Sequence, residues 1–81
     1  MTGALKKRSV NLHGHATSLA LEPEFWAVLD AAAAAEGSSL SGLIANIDDA
    51  RGDRPLASAC RVFALESASL LPARGELSGG A

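Results

Sequence analysis

The chain predicts a mainly α fold with a short β-ribbon, and three observations carry that expectation. Thr17, Leu19 and Leu21 alternate with Ser18 and Ala20, the period of a half-buried strand. Glu22-Pro23-Glu24 follows at once, and two helical patterns then run on, separated only by Gly37-Ser38-Ser39. A lone strand cannot satisfy its own backbone donors and acceptors, and its exposed edges invite pairing. With only 81 residues and no second strong strand, the simplest partner is the same strand of a second copy. The expected assembly is therefore an intertwined homodimer, its ribbon shared across a two-fold axis, with a third helix at the C-terminal end.

Each element has its own signal. Residues 1–7 read as a flexible basic arm, 8–66 as the folded domain, and 67–81 as a frayed or disordered tail with Pro72, Gly75 and a Ser-Gly-Gly end. Upstream of the main strand, Val10 and Leu12 alternate with Ser9 and Asn11, and His13-Gly14-His15 offers a tight turn. Ser9–Leu12 is either the second strand of a hairpin or an extended arm; the pattern allows both. Pro23 suits the first turn of a helix, with Glu22 and Glu24 at its positive end. Phe25, Val28, Leu29, Ala32 and Ala33 form the apolar face of that helix, with Trp26 covering its edge. Gly37 ends it as a left-handed cap. Ser39 caps the next helix, whose Leu40, Leu43, Ile44 and Ile47 make the clearest amphipathic seam in the chain. After a polar loop, Leu56, Ala59, Cys60 and Phe63 form one stripe of a third helix, and Val62 and Leu65 another. Apolar residues on both sides predict a helix that is largely enclosed.

Composition bounds the function. Hydrophobic residues reach 48%, too many for disorder, although much of that fraction is alanine. So small a chain buries little surface by itself, and association would supply more. One cysteine allows no internal disulfide and suits a reducing cytoplasm. No apolar run is longer than that of Ala31–Ala35, which is far too short to span a membrane. The net charge of −2 hides a segregation: residues 1–21 hold three bases and no acid, and residues 22–50 hold six acids and no base. The sign at a contact surface matters more than the total.

Lys7-Arg8-Ser9-Val10, Gly14-His15, the string Thr17-Ser18-Leu19-Ala20-Leu21-Glu22-Pro23-Glu24-Phe25-Trp26, Ser39-Leu40, Ile47-Asp48 and the segment Leu56–Glu66 resemble the ribbon-helix-helix superfamily of repressors. Within it, they resemble a group of small bacterial ribbon-helix-helix domain proteins. The likeness covers about three-quarters of the chain, and the Leu-Glu-Pro-Glu-Phe-Trp string is its most specific part. It implies a dimeric DNA-binding regulator that places an antiparallel ribbon in the major groove of double-stranded DNA. Ala16, Ser18 and Ala20 would face the bases. Ser39, Leu40 and Ser41 would offer helix N-terminal amides to a phosphate, and Lys7 and Arg8 would contact phosphate oxygens. Alanines cannot make the bidentate contacts that discriminate bases, so specificity would fall to His15, Asn11 or the basic arm.

Other chemistries find little support. His13 and His15 lack the further ligands a metal needs, and Asp48, Asp49 and Asp53 lack calcium-loop spacing. Cys60 reads as a buried small hydrophobe, and no nucleophile elbow or phosphate-cradling glycine loop occurs. Neither catalysis nor a cofactor is expected. The competing expectation is a dimeric protein-interaction module, antitoxin-like or an adaptor, that keeps the fold with weak or no sequence-specific DNA binding and binds a protein through the third helix or tail.

Overall fold

A computed structural model describes residues 4–80 of the chain, with side chains described for 4–68. Strand β1 (Lys6–Leu12) and strand β2 (His15–Leu21) form a two-stranded antiparallel sheet. Helices α1 (Pro23–Glu36), α2 (Leu40–Ala50) and α3 (Leu56–Gly80) follow. The main strand thus finds its partner inside its own chain, which corrects the expectation that it must look to a second copy. The alternation at Val10 and Leu12 continues back through Lys6–Arg8, where charged side chains conceal the strand in the sequence. Of the two readings left open for Ser9–Leu12, the hairpin is the one observed. His13 and Gly14 turn the chain with φ of 54° and 85°, the double positive φ of a type I′ turn, whose twist matches that of the strands it joins.

The register runs from Leu12 opposite His15 to Lys6 opposite Leu21. One face of the hairpin buries Val10, Leu12, Leu19 and Leu21 against the helices, with Thr17 half-buried beside them. Strand β1 packs on α2 and strand β2 on α3, while α1 packs on both of the other helices.

Helix α1 starts with Pro23 in its first turn and stops at Gly37 (φ 73°). The Ser38 amide donates to the Ala33 carbonyl (2.9 Å) and the Gly37 amide to that of Ala34 (3.1 Å), the two bonds of a Schellman cap. Its buried face is Trp26, Leu29 and Ala33, with Phe25, Val28 and Ala32 partly buried at the margin. Trp26 is only 4% exposed, so it belongs to the core and does not merely cover an edge. Its indole N–H remains satisfied by donating to the Lys6 carbonyl at 2.8 Å.

Helix α2 follows the expected seam: Leu43, Ile44 and Ile47 are buried, and the Ser39 hydroxyl caps it by accepting from the Gly42 amide at 2.9 Å. Helix α3 buries Ala59, Cys60 and Ala64, but Leu65 is 64% exposed. Among the described residues, the second stripe of α3 is thus left open at Leu65 while Val62 is half-buried, against the expectation of enclosure on both sides. Its backbone also continues beyond Glu66 to Gly80, through the region read from sequence as a tail.

Candidate nucleic-acid interface

Strand alternation places Lys7, Ser9 and Asn11 of β1 beside Ala20, Ser18 and Ala16 of β2 on the face turned away from the helices. Apart from the half-buried Ala20, these residues are exposed, and none of them is acidic. The row Ala16, Ser18, Ala20 thus faces outward as expected, but it is the shorter half of a polar face whose longer side chains come from β1. That Ser9 shares this outer face was not legible before the hairpin was known. The period-two step from Lys7 through Ser9 to Asn11 is the signal that finds it.

The Asn11 amide donates to the Ser41 hydroxyl at 3.1 Å. That amide therefore points away from β2, and in an antiparallel ladder alternate pairs share this property. The contact also seats the N-terminus of α2 against the edge of β1, so Ser39, Leu40 and Ser41 lie beside the ribbon near its turn. Ser39 is occupied as a cap, while Leu40 and Ser41 are half-buried.

Two of the expected contact residues lie on the opposite face by parity. Arg8, across from Leu19, is turned toward α1, where it meets Asp30 (Nη1 to Oδ2 3.1 Å, Nη2 to Oδ1 3.5 Å) and stands 4.6 Å from the centroid of the Trp26 ring. His15 pairs with Leu12 next to the turn and is exposed. The structure therefore gathers Lys7, Ala16, Ser18 and Ala20 on one surface with Ser41 at its margin, and sets Arg8 and His15 apart from it.

Among the described residues, Glu22 and Cys60, both behind this face, have shifted titration. A hydrogen bond from its own backbone amide, then one from Arg61 Nε at 3.0 Å, holds the Glu22 carboxyl below its ordinary pKa of 4.5. Burial, with a smaller contribution from Asp48, pushes the Cys60 thiol up to about 11, so it is an inert core residue. Among the described residues, His13, Asp48 and Asp49 bring ligand-type atoms within 4.8 Å of one another. Two polar contacts already engage them: His13 Nε2 lies 3.0 Å from Asp49 Oδ1, and Arg51 Nε donates to Asp48 Oδ1 at 2.6 Å.

A two-stranded antiparallel ribbon with a polar, acid-free outer face, backed by a capped helix pair, defines a class of DNA-reading domain. The chain belongs to the family of ribbon-helix-helix domains, whose pattern it matches over residues 5–68. Domains of this family are typically DNA-binding regulators without enzymatic activity, and they generally bind as dimers. Among solved structures, the chain is similar to an uncharacterized protein from Bordetella pertussis Tohama I, with a TM-score of 0.74 and 37% sequence identity. The match covers 91% of this chain and 62% of that one, so the chain spans about three-fifths of its length. Among curated proteins there is no match. No helix among the described residues is long and apolar enough to cross a membrane.

Proposed function

We propose that this chain is a cytoplasmic transcriptional regulator that binds double-stranded DNA as a homodimer, each copy laying its own hairpin in the major groove. The observation that carries the reading is the outer face of the hairpin: acid-free, small along β2, and charged by Lys7. A two-stranded ribbon fits the groove. Pairing two β2 edges would instead present four strands, about 14 Å across, to a groove about 12 Å wide. The reading therefore gives each hairpin a half-site and assigns the joining of copies to α3, where Leu65 is exposed and Val62 and Phe63 are half-buried.

The test is a salt titration of binding to duplex DNA, comparing wild type with Lys7→Ala. Affinity is expected to fall steeply with salt, and removing one phosphate contact from each of the two copies should reduce the log–log slope by about 1.8. Absence of binding at low salt overturns the reading. One observation favours the protein-interaction alternative: a groove between α2 and α3 floored by Ile47, Ala59, Val62 and Phe63, with Arg51 and Arg54 on its rim. A stoichiometric protein partner together with no DNA retention would decide for it.

A further inference from the structure

We infer that β1, the strand added to the ribbon by the hairpin, carries the base-reading side chains, with Asn11 reading an adenine. The inference rests on the DNA-binding reading above and names which residues give it sequence preference. On β2 the outward row is Ala16, Ser18 and Ala20, too short to place two hydrogen bonds on one base. On β1 it is Lys7, Ser9 and Asn11, and each of these lies across from one of those small residues. The small neighbours let a duplex approach the ribbon closely, so that the longer side chains reach base edges. Alternate residues of a strand advance about 6.8 Å, and base pairs stack about 3.4 Å apart. Ser9 and Asn11 are therefore spaced to address every second base pair, with Lys7 one step further along the strand at the phosphate backbone.

Asn11 is the most firmly held of the three. Its backbone amide is fixed by the Ser41 hydroxyl at 3.1 Å, and its side-chain Oδ1 accepts from the Gly14 amide at 3.1 Å. That bond uses one lone pair of the carbonyl oxygen and orients the carboxamide before any ligand arrives. The second lone pair and the Nδ2 donors remain free. Together they match the N6 donor and N7 acceptor of adenine in the major groove, the bidentate pairing open to asparagine and absent from alanine or serine.

Selection of bound duplexes from a random pool tests this directly, with wild type, Asn11→Ala and Asn11→Asp run in parallel. Wild type should enrich an adenine at one position of the half-site by about ten-fold or more. Asn11→Ala should lose that enrichment while its salt slope stays unchanged. Asn11→Asp keeps an acceptor for the Gly14 amide, so the turn is preserved if the alanine variant fails to fold. An aspartate accepts from cytosine N4, and its enrichment should move from adenine to cytosine. An adenine preference that survives both changes, or one abolished by Ser18→Ala instead, overturns the inference and leaves DNA binding intact. So does wild-type binding without any base preference. If wild type binds no duplex at all, the functional reading fails and this inference with it.

Discussion

At Gly14 the backbone takes a φ of 85°, and a Cβ built there would meet nothing within 4 Å. Its requirement is therefore conformational: open space surrounds it, but an L side chain rarely adopts that φ. Gly14→Ala should cost about 1 kcal/mol in a denaturant or thermal melt, without a change in packing. A neutral result would mean that the type I′ turn is not what sets the hairpin register. His13, at φ 54°, bears the other half of the turn as a non-glycine residue, and its imidazole reaches Asp49 on α2 at 3.0 Å. Arg8 is a similar tie at the far end of β1, joining it to Asp30 and to the Trp26 ring on α1. Both ties are exposed, where such pairs contribute little stability. Their visible effect is orientation: they keep the basic strand against an acidic helical layer while Lys7 alone turns outward.

The junction of β2, α1 and α3 is fastened by the Glu22 carboxylate and the Arg61 guanidinium, which also stands 5.7 Å from the centroid of the Phe25 ring. Because the folded protein holds the Glu22 pKa below 4.5, its contribution is present above that pH and is lost as pH falls through the depressed value. Glu22→Gln should therefore lower Tm near neutrality, and the gap to wild type should close on acidification. A gap that stays constant in melts from neutral pH down to about pH 3 would show that the pairing does not act through charge. Some elements were readable in advance because their signals are local. Pro23, Gly37 and Ser39 punctuate the helices, and Leu43, Ile44 and Ile47 recur at the helical period. Others were not, because the deciding contact is distant in sequence. The start of β1 reads as a charged arm until Leu19 and Leu21 lie opposite Arg8 and Lys6. The depth of Trp26 depends on a carbonyl twenty residues upstream. The outer row of β2 could be foreseen from alternation alone, but the polar row beside it required the register.

Across the whole molecule the core is apolar, with no buried polar or charged residue among those described. Among the described residues, the large apolar side chains left exposed are Leu5 and Leu65, and Leu65 belongs to a strip of α3. Leu56 and Phe63 pack partly against the core, while Leu65 points outward and Val62 is half-buried. If two copies join along this strip, each hairpin keeps a free outer face and the dyad sets the spacing of two half-sites. If they join instead through the edges of β2, the same alanine and serine rows would sit at the centre of a wider sheet, and α3 would be a bystander. Two substitutions separate these geometries. Leu65→Glu places a charge in the first interface and alters nothing buried within the chain. Ser18→Pro removes an amide from the outward edge of β2, at a position where the hairpin's own ladder needs no donor. Light scattering of wild type should report twice the 8.2 kDa of one chain. Leu65→Glu should reduce that to a single chain and weaken DNA binding by removing the second half-site, and Ser18→Pro should leave the mass unchanged. The reverse pattern would move the dimer to the strand edge, and the groove-width argument that assigns one hairpin to each half-site would then fail.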